Sequence, residues 1–242
     1  MNKLFKPNLE GQDYGQYMVA FIDILGFRNI VQKSENEIEY FKKILHATQI
    51  IEHLVGYNDE KQKNKERFVE MVQFSDSLVI SMPYNGIYTL RKIIMDLDLV
   101  QKIIARDVGI MLRGGLTYGK LYHKGNISFG PAFVDAYQLE SKVAKTPRII
   151  IDPKLLEPSG DDVNQCMLHS IIQSTLKKDV DGYYFINFLG GDFAGPTAPE
   201  VAEKLKKYAE LELSNITEVN EQNESIKAKM IWMLDYIKEC GY

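Results

Sequence analysis

One segment constrains the fold of this chain more than any other: Tyr17 to Val31, which reads YMVAFIDILGFRNIV. Tyr17 to Phe21 is a short, wholly apolar run, typical of a central buried strand. Asp23 follows where a core residue would otherwise stand, and Leu25-Gly26-Phe27 turns into a segment with helical periodicity. We therefore predict Asp23 at the carboxyl end of a strand, with the backbone N–H groups of Ile24 to Phe27 free at the start of a helix. Such an edge can hold both a cation and a phosphate.

Length and charge limit the classes of protein to consider. The 242 residues, 45% of them hydrophobic, can bury one substantial core, so we predict a single domain over residues 1–242, with two smaller domains as the alternative. The formal net charge is −4 with mixed signs and no basic stripe, which argues against nucleic acid or an acidic membrane surface as a partner. A small anionic ligand would need a cation to help bind it.

Cysteine usage and hydropathy favour a cytoplasmic protein. Cys166 and Cys240 alone offer neither a disulfide framework nor a CxxC-type zinc site, as expected in a reducing compartment. No apolar run approaches the roughly 20 residues that a membrane span needs, and the amino terminus lacks the apolar region of a signal peptide. We therefore expect no membrane association.

Two β-like runs flank a turn further along the chain. Arg67 to Gln73 and Leu78 to Met82 lie on either side of Phe74-Ser75-Asp76-Ser77, whose residues are typical of turns. The pattern predicts a β-hairpin with Asp76 at its tip.

The rest of the chain alternates between helical and strand patterns. Ser34 and Glu37 match the capping box of a long amphipathic helix that ends at Gly56, and the charged segment Asn58 to Glu66 predicts an exposed loop. The pair Gly114-Gly115 inside a strand indicates a bulge or a close backbone approach. The other predicted elements are a helix over Tyr84–Arg106, a strand over Ile110–Tyr118, a hairpin or arm over Gly119–Ser128, a helix from Gly130-Pro131 to about Val143, strands over Pro147–Pro153 and Asp181–Phe188, and a helical region over Thr197–Cys240 with a break near Asn220.

This order predicts an α+β fold with helices on one face of a mainly antiparallel sheet. If the hairpin pairs beside the first strand, Asp76 lies next to Asp23 at one end of the sheet. Two carboxylates there suit two Mg²⁺ or Mn²⁺ ions, a pair of which, about 3.5–4 Å apart, supports phosphoryl transfer from a nucleotide. The alternative is structural, with Asp23 as a helix cap and Asp76 in a plain β-turn.

Four segments, in this order, resemble the catalytic domain of the class III nucleotide cyclases, the adenylate and guanylate cyclases. FIDILGF at 21–27 looks like the first metal motif of that family, and FSDSL at 74–78 looks like the second. RGGLTYG at 113–119 resembles the strand before the dimerisation arm. GPAFVDAYQLE at 130–140 resembles the helix that carries the transition-state residues. The match covers residues 17–152 and leaves a C-terminal strand and helices, 153–242, outside it.

The resemblance implies a ferredoxin-like, palm-like core and a head-to-tail homodimer with active sites at the interface. It implies that Asp23, the Ile24 carbonyl and Asp76 bind two metal ions, Mg²⁺ or Mn²⁺. The residues implied to contact the triphosphate of a nucleoside triphosphate substrate are Ile24, Leu25, Gly26 and Phe27.

Departures from the family pattern bear on the substrate. The two positions that read a purine base hold Val72 and Ile127. Apolar side chains cannot form the hydrogen bonds that select adenine or guanine, and polar recognition sites discriminate strongly through such bonds. The usual means of purine selection is therefore missing.

Further departures bear on the transition state. The positions of the family's asparagine and arginine hold Val134, or Asp135 after a one-residue shift, and Gln138. Three cations can replace the missing charge: Lys142, Arg113 and Arg148. Of these, Lys142 lies one helical turn beyond Gln138 on the same face of the helix. Each of them also has an ordinary interpretation as a surface or structural cation.

The segments FIDILGF, GPAFVDAYQLES and PRIIID are most similar to the bacterial pyrimidine cyclases of the Pycsar antiphage systems. That resemblance implies a stand-alone homodimeric lyase that makes cyclic UMP or cyclic CMP, with UTP weakly favoured over CTP, and a separate effector protein that senses the product.

Two other functions stay open at this point. One is a purine cyclase with an unusual base pocket. The other is a catalytically inactive cyclase-like domain that binds a nucleotide or a partner as a regulator. The missing asparagine and arginine favour the inactive domain, whereas the retention of two adjacent carboxylates, which repel each other, opposes it.

Overall fold

A sheet of mostly short strands, covered by amphipathic helices, forms the body of this computed structural model. The structure describes residues 11–56, 69–158, 160–191, 195–218 and 220–242. The strands are β1 (Gly15–Ile24), β2 (Glu70–Phe74), β3 (Ser77–Pro83), β4 (Leu112–Lys124), β5 (Ile127–Phe129), β6 (Ile149–Ile151), β7 (Leu176–Lys178) and β8 (Tyr184–Ile186). The helices are α1 (Phe27–Ser34), α2 (Ile38–Gly56), α3 (Ile87–Asp107), α4 (Pro131–Gln138), α5 (Asp162–Thr175), α6 (Ala198–Ser214) and α7 (Glu221–Glu239). A π-helical turn, Leu139–Val143, extends α4.

The sheet is mixed, and β1 lies inside it. The strand order is β2-β3-β1-β4-β6-β8-β7, and β5 pairs with β4 as a hairpin. Among the described strands, β4 and β6 pair in parallel and the other pairs are antiparallel. The predicted α+β class and mainly antiparallel sheet are therefore confirmed. Because β1 lies between β3 and β4, residues at its carboxyl end meet both neighbours.

Helices cover both faces of the sheet, so the prediction of helices on one face is wrong. Side chains alternate along a strand. Met18 and Ile22 of β1 pack with the apolar face of α3, whereas Val19 and Phe21 pack with α4 on the opposite side. Burial of each such side chain contributes about 1.5–3 kcal/mol. The wholly apolar run in β1 is the consequence of burial on two faces.

The C-terminal helices form a separate apolar cluster. Residues of α6 and α7 pack on each other and on Phe185 of β8. Thr197 and Glu200 form the predicted capping box of α6, and Asn220 caps α7 by accepting a hydrogen bond from the Asn223 N–H at 2.8 Å. The predicted break near Asn220 is confirmed. That residues 1–242 form one domain stays a prediction.

Some local predictions differ from the structure. Ser34 is the last residue of α1, and its hydroxyl donates to the Val31 carbonyl at 2.6 Å, so it does not cap α2. The elements α5 and β7 lie in a stretch where the sequence predicted none. The predicted loop at Asn58 to Glu66 lies outside the described residues. In the part of the chain that the structure describes, no helix is long and apolar enough to span a membrane.

Candidate active site

The pairing of β1 with β3 brings Asp23 and Asp76 together. Asp23 is in register with Ser77, the residue after Asp76. The Ile24 N–H donates to the Asp76 carbonyl at 3.0 Å, which ties the tip of the β2–β3 hairpin to the end of β1. Ser75 has a φ of 57° and lets the chain reverse there. The predicted placement of the two aspartates at one end of the sheet is confirmed.

Arg113 joins this end of the sheet from β4. It is in register with Asp23, and its Nη2 lies 3.0 Å from Asp23 Oδ2. The same nitrogen lies 2.5 Å from Glu140 Oε1. The side chains of Asp23, Arg113 and Glu140 are 15%, 22% and 5% exposed. One guanidinium therefore balances two largely buried carboxylates.

Glu140 reaches Arg113 because α4 lies unusually close to β4. A Cβ on Gly115 would lie 2.8 Å from the Ala136 carbonyl oxygen and 3.2 Å from the Glu140 nitrogen, so only glycine allows this contact. The close backbone approach predicted from the glycine pair is confirmed. It places the π-helical turn, and Glu140 with it, over the end of β1.

Burial and like charge disfavour the ionised carboxyl groups of the cluster. The pKa of Asp23 is raised, chiefly by burial; the Arg113 charge opposes this rise and the Asp76 charge adds to it. The pKa of Glu140 is raised for the same reasons, with burial first, then Arg113 in opposition and Asp23 in support. A second cation beside Asp23 and Asp76 would therefore be stabilised.

Carboxylate oxygens are the ligands that Mg²⁺ and Mn²⁺ prefer, so the two aspartates fit the implied metals. Within the described residues, no group of three or more His, Cys, Asp or Glu side chains is arranged to hold a metal.

The start of α1 differs in part from the prediction. The Ile24 N–H is bonded to the Asp76 carbonyl and the Leu25 N–H to the Met111 carbonyl, each at 3.0 Å, so the prediction that these two groups are free is wrong. Strand pairing and the adjacent loop use them. Gly26, in the left-handed region with a φ of 76°, turns the chain into α1 at Phe27. The N–H groups that the start of α1 leaves without an intrahelical partner therefore begin at Gly26, the residue before Phe27.

The remaining predicted residues are spread over the structure. Val72 is 7% exposed and packs in the apolar cluster between the sheet and α4, while Ile127 is 59% exposed on the arm. Lys142 is exposed on the π-helical turn, and the described residues offer no hydrogen bond or ion pair that links it to Asp23 or Asp76. Arg148 pairs with Asp179 and Asp181 instead of the site, and Trp232 also donates to Asp179.

Comparison with known proteins gives similarity in structure but not in sequence. No protein-family model matches the chain, and no curated protein matches it significantly. Among solved structures, 42 chains match. Those described below are nucleotide cyclases or cyclase-like proteins.

A structure of an adenylate/guanylate cyclase/hydrolase from Silicibacter pomeroyi is 12% identical, with 72% of this chain and 95% of that chain covered and a TM-score of 0.43. A bacterial light-regulated adenylyl cyclase is 12% identical, with 84% and 60% covered and a TM-score of 0.48. A class III adenylyl cyclase-like ATP-binding protein from Pseudomonas aeruginosa is 11% identical, with 93% and 43% covered and a TM-score of 0.43. All three TM-scores are below 0.5 and all three identities are below 25%, so this similarity does not assign a function to the chain.

Sequence reasoning missed two charged residues near Asp23. Glu140 follows the buried Ala132 and Ala136 at intervals of four residues, a spacing that marks it as facing the sheet. Lys229 of α7 is half-buried; burial lowers the pKa of its ammonium group, as does the Arg113 charge, while Asp23 opposes both. No local sequence signal links Lys229 to a residue about two hundred positions earlier.

Proposed function

We propose that this chain is a nucleotide cyclase, a phosphorus–oxygen lyase that converts a pyrimidine nucleoside triphosphate into its 3′,5′-cyclic monophosphate and pyrophosphate. The observation that carries the proposal is the meeting of Asp23 and Asp76 at one end of the sheet, with Arg113 beside them and the start of α1 directly beyond. Paired carboxylates, a guanidinium and a helix start are the groups that bind and polarise a triphosphate.

Asp23, Asp76 and the Ile24 carbonyl are the groups proposed to hold two Mg²⁺ or Mn²⁺ ions. When bound, such ions neutralise phosphate charge and lower the pKa of an attacking hydroxyl. The ribose 3′-oxygen attacks the α-phosphorus and its proton leaves to water. The bond from that phosphorus to the bridging oxygen breaks in line, and pyrophosphate departs with the electron pair.

Arg113 is the residue proposed to stabilise the developing phosphate charge. Its Nε has no hydrogen-bond partner among the described residues, so the guanidinium keeps one donor that Asp23 and Glu140 do not use. Lys142 is proposed to act across the dimer, because its exposed side chain is available to a partner subunit.

Val72 and Ile127 are the basis for proposing a pyrimidine substrate. Neither side chain can hydrogen-bond to a base edge, so the usual purine selection is lost. UTP is weakly favoured over CTP. Following the Pycsar resemblance, we further propose a cytoplasmic second-messenger synthase in antiviral defence whose product binds a separate effector protein.

A homodimer is proposed to complete the active site. On the side of the sheet that carries Asp23, apolar side chains of β2 and α4 are exposed: Phe74, Val134 and Tyr137 are 47%, 49% and 48% exposed. Exposed aromatic side chains such as Phe74 and Tyr137 are enriched at protein interfaces. This supports assembly of two copies through that face.

The test is incubation of the purified chain with UTP, CTP, ATP and GTP separately, in the presence of Mn²⁺, with products resolved by mass. A cyclic pyrimidine monophosphate is the expected product. A cyclic purine product alone would refute the pyrimidine proposal and establish the purine cyclase.

A catalytically inactive regulatory domain is the second candidate. Two observations favour it: Arg113 is paired with both Asp23 and Glu140, and Gln138 stands where the family has an arginine. This candidate predicts that a folded, dimeric protein binds a nucleoside triphosphate and returns it unchanged.

A further inference from the structure

A cavity of about 550 Å³ lies beside the candidate site, between α1, α2, α6 and α7. Leu25 and Gly26, the residues that follow the end of β1, form part of its wall, together with Met111. The cavity therefore begins where the strand that carries Asp23 ends. Its volume is within the roughly 300–1,000 Å³ that is usual for sites that bind small molecules.

Positive charge dominates the described walls of this cavity. The charged residues that line it are Arg28, Lys33, Lys43, Lys229 and Glu212. Four cations around one carboxylate repel one another, and a bound anion relieves that repulsion. Tyr208 also lines the cavity, and burial raises the pKa of its hydroxyl to about 12, so it remains a hydrogen-bond donor at neutral pH.

Lys229 lies between the cavity and Asp23. It lines the cavity, and it is also near enough to Asp23 and Arg113 for their charges to act on it. Its neighbour Met230 is 4% exposed in the C-terminal apolar cluster, which fixes this part of α7. Within the described residues, the Lys229 ammonium group forms no hydrogen bond or ion pair. Lys229 is thus a positioned, half-buried cation on which the Asp23 charge acts but whose ammonium group has no hydrogen-bonded anion among the described residues.

We propose that Lys229 is a further substrate-binding residue, which holds the terminal phosphates of the nucleoside triphosphate, and then the released pyrophosphate, in this cavity. The inference rests on the proposed function and extends it to α7, which lies outside the part of the chain that resembles a cyclase. An α-phosphate beside Asp23 and Asp76 leaves the β- and γ-phosphates to pass Gly26 and enter the cavity. There a charge-assisted hydrogen bond from the Lys229 ammonium group offsets the cost of desolvating the phosphate.

The test measures the binding of inorganic pyrophosphate to the full chain by titration calorimetry in metal-free buffer, so that the readout does not depend on turnover. Lys229→Met removes the charge and keeps most of the side-chain volume. Lys227→Met removes the same charge from an exposed position on the same helix, outside the cavity lining, and is the matched control. Lys229→Arg restores a cation, and thermal unfolding confirms that each variant is folded.

We expect Lys229→Met to weaken pyrophosphate binding about tenfold or more, the usual effect of losing one charge-assisted hydrogen bond. Lys227→Met should bind pyrophosphate within about twofold of the wild type. The affinity of Lys229→Arg should lie between those of the wild type and Lys229→Met. Equal binding by wild type and Lys229→Met, or equal losses in Lys229→Met and Lys227→Met, would overturn the inference. No pyrophosphate binding by the wild type would overturn it as well.

The same variants separate this inference from the proposed function. If the wild type cyclises a triphosphate and Lys229→Met does so with an unchanged KM and unchanged pyrophosphate affinity, the inference fails and the function stands. If the wild type cyclises nothing but binds pyrophosphate in a Lys229-dependent way, the phosphate-binding role of Lys229 stands and the cyclase proposal fails.

Discussion

Asp23 and Arg113 face each other on neighbouring strands, with Asp23 Oδ2 3.0 Å from Arg113 Nη2. The same guanidinium also contacts Glu140, and Asp76 lies at the adjacent turn. Two carboxylates therefore pair with one guanidinium at the end of the sheet, and the carboxylate of Asp76 is a third negative charge near them. A site of this charge favours the arrival of further cations, and a phosphate that comes with them gains Arg113 as a donor.

Asp76→Asn separates the chemistry of the site from its folding. The substitution keeps the turn and removes the charge, so we expect cyclic nucleotide formation to fall by about 100-fold or more, as when other electrostatic groups of an active site are lost. The unfolding free energy should change by no more than about 0.5 kcal/mol, because this side chain is only half-buried. Asp162→Asn, at an exposed position, is the control for charge removal and should retain full activity. Normal turnover by Asp76→Asn would refute the proposal that Asp76 is a metal ligand.

Arg113→Met leaves two carboxylates without their cation. We expect a loss of about 2–4 kcal/mol of unfolding free energy in urea titrations, since an unpaired buried carboxylate is costly. Adding Glu140→Gln should recover part of this loss, with a coupling energy of about 0.5–3 kcal/mol in the double-mutant cycle. Activity should be lost in Arg113→Met, because the proposed phosphate-binding cation is gone, and it should not return in the double variant. Strictly additive losses would show that the Arg113–Glu140 contact has no energetic weight.

Glu140 should give the protein a specific pH dependence of stability. Because burial raises its folded-state pKa above the ordinary 4.5, the folded protein binds this proton more tightly than the unfolded chain. The stability contribution from Glu140 is therefore fully present below pH 4.5 and is lost as the pH rises through the folded-state pKa. We expect the unfolding free energy of wild type minus that of Glu140→Gln to decrease as the pH rises from 4.5 to 8. Parallel stability curves for the two proteins would contradict the assignment.

Gly115→Ala tests the close approach of α4 and β4. The added Cβ would clash with the Leu139 side chain and lie 2.8 Å from the Ala136 carbonyl oxygen, so the helix must move. We expect a destabilisation of about 1–3 kcal/mol by chemical denaturation. Activity measured well below the unfolding temperature should fall as well, because the same movement displaces Glu140 from Arg113. Full stability together with full activity would show that the contact is not needed.

The central part of the site could be predicted from the sequence because it depends on short-range patterns. An apolar run that ends in Asp23 indicates a buried strand, and turn residues between two β-like runs indicate a hairpin with Asp76 at its tip. Only one further assumption, that the hairpin pairs with the first strand, brings the aspartates together, and the register of β1 with β3 confirms it.

The parts of the fold and of the site that the sequence did not predict depend on contacts between distant segments. The strands β7 and β8 have three residues each, too few for a period-two pattern to be distinctive. The hydrogen bond from the Leu25 N–H to the Met111 carbonyl joins a turn to a loop far along the chain, so the local sequence could not show that this N–H is occupied. Lys229 reaches the site only because α7 packs on β8, and the apolar pattern of α7 does not reveal its partner. The position of Glu140 could have been predicted from the sequence, since Ala132 and Ala136 precede it at helical spacing.

The most direct test of the central claim is the mass and stoichiometry of the products formed from UTP, and separately from CTP, with Mn²⁺, by the wild type and by Asp23→Asn. We expect a cyclic pyrimidine monophosphate and pyrophosphate in equal amounts from the wild type, and neither product from a folded Asp23→Asn protein. Three outcomes would contradict the proposed function. They are a linear monophosphate or diphosphate as the product, unchanged triphosphate after incubation with folded, dimeric wild type, and equal amounts of cyclic product from both proteins.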